Sequence, residues 1–126
     1  MAKLIEMDEN VTLKDQMENH VTGLVILINK FNVDSNELEQ FLRAWKEDAT
    51  KFKDQSGFVS AQLHKGVGKS SVFINYAVWE SLEHYKKAVD NVIGPDFQTA
   101  LSKYPKNLVV SPHLFKKVAV PGICDA

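Results

Sequence analysis

Four strand-like segments and two amphipathic helical segments follow one another in this chain, and their order restricts the folds open to it. Apolar alternation or short apolar runs predict strands, whereas apolar residues spaced three or four apart predict helices. The predicted strands are 21–31, 58–65, 70–79 and 108–118, and the predicted helices span about 35–56 and 80–92. The order β-α-β-β-α-β is typical of the α+β ferredoxin-like fold, a four-stranded antiparallel sheet with both helices on one face. We therefore predict that fold.

Glycine and proline mark the ends of these segments. Gly66 and Gly68 lie between the second and third strands and indicate a hairpin. Gly94 and Pro95 separate the second long helix from a shorter helical stretch. Pro112 interrupts the fourth strand, and because proline has no N–H it favours an edge strand or a bulge there.

The first and third strands are apolar on both faces. One face of the third strand carries Val72, Ile74, Tyr76 and Val78, and an antiparallel sheet with one wet face should instead alternate between apolar and polar residues. The helices can cover only one face. A second copy of the sheet is the simplest cover for the other, so we predict a homodimer whose two sheets pack face to face.

Two asparagines interrupt the other apolar face of these strands. Phe73, Asn75, Ala77 and Trp79 share one side of the third strand, because residues two apart in a strand project to the same face. Asn29 shares its face of the first strand with Val25, Leu27 and Phe31 in the same way. Burying an unpaired amide costs roughly 1–3 kcal/mol, so each Asn needs water, a partner or a ligand.

The two asparagines are also expected to lie close together. In the ferredoxin-like topology the first and third strands are central neighbours, so Asn29 and Asn75 could face each other across one ladder. Trp79 lies four residues after Asn75, on the same side of the strand. This trio is the strongest candidate site in the sequence.

Composition limits the class of protein. The chain has 126 residues, 44% of them hydrophobic, and a formal net charge of −1, which suits one domain and gives no field to attract nucleic acid or a membrane surface. We expect an N-terminal arm over residues 1–20, which could lie over a neighbour, a domain over 21–120 and a C-terminal tail over 121–126.

The cellular setting is inferred from absences. The lone cysteine, Cys124, cannot form an intrachain disulfide, and the apolar run Leu24–Ile28 is too short to span a bilayer. No export signal develops before the chain turns acidic at Glu6. We therefore expect a cytoplasmic protein.

Two other sequence patterns, a glycine-containing loop and the histidines, do not indicate a functional site. Gly66–Ser70 ends like a phosphate-binding loop, but the pattern needs a glycine where Leu63 stands, and a strand follows instead of a helix. The four histidines show no metal-ligand spacing, so we predict no metal site.

With these residues placed, the chain resembles the antibiotic biosynthesis monooxygenase superfamily of dimeric α+β barrel proteins. The similarity extends from about Val21 to Val118. It is carried by three segments: Val25–Asn29 (VILIN), Gln55–Ser60 (QSGFVS) and Tyr76–Ser81 (YAVWES).

The resemblance implies an activity and a site. Family enzymes of aromatic polyketide tailoring oxidise phenols of the anthrone type to quinones with O2, without flavin, haem or metal. Their Asn, Asn and Trp are matched here by Asn29, Asn75 and Trp79, and a Tyr used by some members is matched by Tyr85. An Arg used by some members has no counterpart in this chain.

The residues themselves are compatible with this chemistry. Such a reaction needs a protein that binds an electron-rich phenol, stabilises an oxyanion and excludes water. Amides can supply the second function, and Trp79 with neighbouring rings such as Phe31 and Phe73 can form a flat apolar substrate slot. We therefore expect an aromatic small-molecule substrate, O2 as co-substrate and no bound cofactor.

Three other functions remain open. The protein could be a dimer that binds a small molecule without catalysis, or an isomerase acting on a small ring. Haem-degrading relatives resemble the same fold but take an axial His from the helix after the third strand. The only histidine there, His84, is predicted to lie about 200° around the helix from the inward residue Leu82, so haem degradation ranks low.

Overall fold

The computed structural model describes all 126 residues, which form one sheet with helices on one side. The strands are β1 (Lys3–Leu4), β2 (Val25–Asn32), β3 (Phe58–Lys65), β4 (Val72–Trp79) and β5 (Val109–Phe115). The helices are α1 (Leu13–Met17), α2 (Leu38–Lys53), α3 (Leu82–Val92) and α4 (Phe97–Leu101), with a 3-10 turn at Ser35–Glu37. The strand order is β1-β5-β2-β4-β3.

The predicted α+β ferredoxin-like fold is confirmed, with one addition. Strands β2 to β5 are the four predicted antiparallel strands, and β1 pairs with β5 in parallel to make the sheet mixed and five-stranded. The N-terminal arm therefore lies against its own chain. A two-residue strand with no apolar alternation gives no periodic signal, so sequence reasoning could not find it.

Pro112 explains where the pairing of β1 with β5 stops. The N–H of Ile5 donates to the carbonyl of Val110 at 2.9 Å, and the N–H of Leu114 points to the same outer edge. Because alternate residues of a strand direct their backbone groups to the same side, Pro112 also faces that edge. Its missing N–H interrupts the row of donors, as expected for proline on an edge strand.

Helices α2 and α3 cover the face that carries the two asparagines. Phe41 of α2 is completely buried, and its ring lies 4.9 Å from that of Phe31 and 5.3 Å from that of Phe73. Helix α3 is capped by Ser81, whose hydroxyl accepts from the N–H of His84, and buries its inward side chains against Trp79. The predicted assignment of strand faces is confirmed.

The opposite side of the sheet, here called the outer face, carries no helix. It presents aliphatic and aromatic side chains from the central strands, among them Ile28, Ile74, Tyr76 and Val78, whereas Ile26 on the same face is buried. Tyr76 remains 38% exposed. The outer face is thus an apolar surface on a sheet whose other side is already packed, which is the feature that motivates the predicted homodimer.

We predict that Ile74→Glu dissociates that homodimer while leaving the monomer folded. Ile74 lies directly opposite Lys30 on β2, so the new carboxylate can pair with an ammonium in the free monomer but would be desolvated between two sheets. Light scattering should show half the wild-type mass. Leu42→Glu, on an exposed position of α2, is the matched control and should keep the wild-type mass. A wild-type protein that is monomeric at micromolar concentration contradicts the prediction.

A second prediction concerns Gly57, which precedes β3. Its φ is +86°, and the space a Cβ would occupy is filled by the His84 ring. Gly68 has a φ of +71° with nothing near the same position. Gly68→Ala should cost only the backbone strain, about 1 kcal/mol, whereas Gly57→Ala should cost roughly 2 kcal/mol more because of overpacking. Urea unfolding of both variants measures the difference, and equal costs would show that the contact with His84 is unimportant.

Candidate functional site

A cavity of about 490 Å³ lies between the helix-covered face of the sheet and the helices. Of the 28 residues that line it, 20 are hydrophobic, which makes it a site for a largely apolar molecule. Its volume falls in the usual range for small-molecule pockets. The few polar groups that reach it therefore determine how a bound molecule would be oriented.

Asn29 and Asn75 line the cavity from the sheet side. They are direct partners in the antiparallel ladder of β2 and β4, as the predicted topology required. The side-chain oxygen of each is buried and has no hydrogen-bond partner in the protein. An amide offers one acceptor and two donor hydrogens, so the pair can accept from a phenol O–H or donate to an oxyanion.

Trp79 also lines the cavity, four residues after Asn75 on the same face of β4. Its ring is almost fully buried and meets Phe52, Phe58 and Tyr85 edge to face, with centroids 6.1, 5.5 and 5.8 Å away. The indole N–H is buried without a partner. Trp79 is therefore both a core residue and the source of a third unpaired polar atom at the cavity.

Tyr85 joins the same group from α3. It is buried, lines the cavity, and its position follows from the inward spacing of Leu82, Tyr85 and Ala88 on one face of the helix. Burial raises the pKa of the Tyr85 phenol well above its ordinary value. The hydroxyl is thus neutral near pH 7 and can act as a hydrogen-bond donor.

Only one of the two phenylalanines predicted to bind substrate lines the cavity. Phe31 lines the cavity and Phe73 does not, although both rings pack against Phe41 in the same core cluster. Both residues occupy the same face of paired strands, directly opposite each other. Which of the two rings reaches the open space depends on tertiary packing, and a strand pattern alone cannot show this.

Asp48 and Tyr104 are polar lining residues that sequence reasoning did not find. The Tyr104 hydroxyl donates to a carboxylate oxygen of Asp48 at 2.6 Å, and the Lys103 ammonium also donates to Asp48. Burial, followed by the nearby Asp48 charge, raises the pKa of Tyr104. These residues are 56 positions apart, and only the packing of the α4 end of the chain against α2 brings them together.

The N-terminal arm supplies further lining residues that were not predicted. They are Leu4, Glu6, Leu13, Lys14 and Met17. Weak periodicity in residues 1–20 gave no reason to place them at a site. Their position depends on pairing between the arm and β5.

His84 lies away from the cavity, as predicted. Its ring nitrogen Nδ1 is 2.7 Å from the Ser81 hydroxyl, Nε2 is 3.8 Å from a Glu80 oxygen, and neither atom is part of the lining. No group of three or more His, Cys, Asp or Glu side chains is arranged to hold a metal ion. None of the helices combines the length and the apolar character that crossing a membrane requires.

Solved structures share this fold. A protein from Shewanella loihica PV-4, described as a candidate monooxygenase, is 26% identical, with a TM-score of 0.64 over 80% of this chain and 100% of its own. SnoaB, a cofactor-independent oxygenase from Streptomyces nogalater, is 23% identical, with a TM-score of 0.65 over 80% of this chain and 99% of its own. No protein of curated function matches the sequence.

A protein-family model matches the part of the chain that contains most of the strands and helices around the cavity. The model described as antibiotic biosynthesis monooxygenase matches residues 24–102, more than half of the chain. This range holds β2, α2, β3, β4 and α3, which include both asparagines, Trp79 and Tyr85. The chain therefore belongs to the antibiotic biosynthesis monooxygenase family.

Proposed function

We propose that this protein is a monooxygenase that uses no bound cofactor and oxidises a phenolic, polycyclic aromatic or quinol-type molecule to a quinone with O2. One observation carries the proposal. The oxygens of Asn29 and Asn75 are buried without protein partners, side by side, in a cavity that is otherwise largely apolar. SnoaB, which shares the fold, is named a cofactor-independent oxygenase.

The chemistry asks little of the protein. In an anthrone the ring CH2 loses a proton, and the resulting anion passes one electron to O2. The two radicals combine to a peroxide, the proton returns to it, and loss of water leaves a carbonyl. One oxygen atom of O2 stays in the quinone and the other leaves as water, so the reaction balances without another oxidant.

The side chains act by binding and by stabilising charge. We assign the side-chain N–H groups of Asn75 and Asn29 to the developing enolate or peroxide oxygen, because preorganised donors stabilise such charge best where water is excluded, and their oxygens to a phenol O–H of the bound molecule. Trp79 and Phe31 would hold the flat ring system, and the neutral Tyr85 hydroxyl would donate a further hydrogen bond. The unit that carries out the reaction in this proposal is the homodimer formed through the outer face.

Non-catalytic binding is the main alternative, since the same cavity could sequester a phenol without oxidising it. The two functions differ in O2 uptake when purified protein is mixed with dithranol, a dihydroxyanthrone. Haem degradation is disfavoured because His84 points away from the cavity, toward Ser81 and Glu80. A Soret shift on adding haem would reverse that ranking.

We predict that Asn75→Ala lowers turnover of dithranol roughly 10²-fold, the effect of losing one oxyanion donor. Asn75→Asp should be worse, because it places a negative charge beside an anionic intermediate. The matched control is Asn36→Ala, which removes an exposed amide that does not line the cavity and should leave turnover unchanged. O2 uptake per folded molecule is measured beside a melting curve for each variant.

If Asn75 has only a structural role, the opposite pattern is expected. Truncating an amide that only supports the core should lower stability by about 1–3 kcal/mol and reduce activity only through loss of folded protein. Full specific activity in folded Asn75→Ala would remove this residue from the mechanism.

We also predict that the purified protein carries no flavin or haem and consumes O2 with dithranol at the same rate with and without a metal chelator. Absorbance after gel filtration and an oxygen electrode provide the two measurements. A visible cofactor spectrum at near-stoichiometric occupancy, with activity that follows its content, would overturn the proposed reaction class.

A further inference from the structure

The N-terminal arm closes one side of the cavity. We propose that it is the wall that selects the bound molecule, with Leu13 and Met17 as specificity-determining residues for a neutral, planar polycycle. The class of ligand rests on the proposed function. The position of the wall rests on geometry alone.

The arm is fixed to the sheet at two places. Its first residues pair with β5, where the N–H of Lys3 donates to the carbonyl of Leu108 at 3.0 Å. Farther along, the Gln16 amide pairs with the backbone of Leu114 in both directions, accepting from its N–H and donating to its carbonyl, each at 2.9 Å. Gln16 thus takes the place of a strand residue at the edge of the sheet.

The segment between these anchors is also held in place. Thr12 caps α1 reciprocally with Asp15, and a Glu6 carboxylate oxygen accepts from the N–H of Leu13 at 2.8 Å. These bonds fix the direction of a helix too short to be stable alone. The arm is therefore a defined part of the fold, which a wall that selects ligands requires.

The arm presents apolar side chains to the site. Leu13 and Met17 line the cavity and pack against the cluster that contains Trp79 and Tyr85. The match to the family model begins at residue 24, after the arm. This part of the lining is therefore additional to the region that defines the family.

Charge at the lining favours a neutral ligand. Three carboxylates, those of Glu6, Asp48 and Asp90, line the cavity against one ammonium, that of Lys14. Lys103 pairs with Asp48, so one carboxylate remains in excess. The excess of acids opposes a ligand that carries a carboxylate or phosphate. A molecule with only phenol and carbonyl oxygens meets no such repulsion.

Binding can be measured through the two tryptophans of the chain, since Trp45 and Trp79 both line the cavity and a bound quinone should quench them. The probes are dihydroxyanthraquinone, with three rings, and dimethylnaphthoquinone, with two rings and with methyl groups that block attack by the exposed Cys124 thiol. Met17→Ala should weaken binding of the tricyclic probe about tenfold. Met7→Ala is the matched control, because Met7 is 40% exposed, lies on the same arm and does not line the cavity.

The variant Met17→Phe distinguishes a change in ligand selectivity from a loss of folded structure in the arm. A larger side chain should weaken tricyclic binding about tenfold relative to bicyclic binding, whereas a loosened arm would weaken both equally. Equal effects on the two probes, equal effects of the Met17 and Met7 variants, or no quenching in the wild type would overturn the inference.

The same experiments separate this inference from the proposed reaction. Probe binding that depends on Met17, without O2 uptake on dithranol, supports the wall and refutes the monooxygenase. If the Met17 variants consume O2 with the wild-type rate and KM, the monooxygenase is supported and the selecting wall is refuted.

Discussion

Backbone hydrogen bonds between β2 and β4 set Asn29 directly opposite Asn75, and the chemistry of the cavity depends on that register. A slip of one residue in either strand would move its asparagine to the outer face, because side chains alternate between the two faces. Eight consecutive residue pairs, from Val25 opposite Trp79 to Asn32 opposite Val72, hold the register in place. Two amides on separate strands thereby become one polar site in an apolar wall.

That site carries a cost in folding free energy. Buried polar atoms without partners cost roughly 1–3 kcal/mol each, and the side chains of Asn29, Asn75 and Trp79 each contribute one. A domain is stable by only about 5–15 kcal/mol in total, so such a cluster is a large expense for the core to carry. Departures from full polar satisfaction are expected at functional sites, where a ligand supplies the missing bonds. The energetics thus favour binding at the same place that the geometry indicates.

The N-terminal arm links protection of the sheet to construction of the site. Without the arm, strand β5 would have a free outer edge, and exposed edges invite pairing with other chains. Strand β1, Pro112 and the Gln16 amide together occupy or interrupt that edge. The same segment then continues across the open side of the cavity, where Met17 meets the aromatic cluster. One stretch of chain therefore covers an edge and completes a binding wall.

The sequence by itself determined the α+β order of elements, the assignment of strand faces and the meeting of Asn29 with Asn75, because periodicity is local and the topology leaves few choices. Only the tertiary structure decided that Phe31 lines the cavity and Phe73 does not, since tertiary packing determines which rings reach open space. It alone joined Tyr104 to Asp48 and placed the arm against β5. Those contacts join residues far apart in the chain, and no local pattern encodes the packing that brings them together.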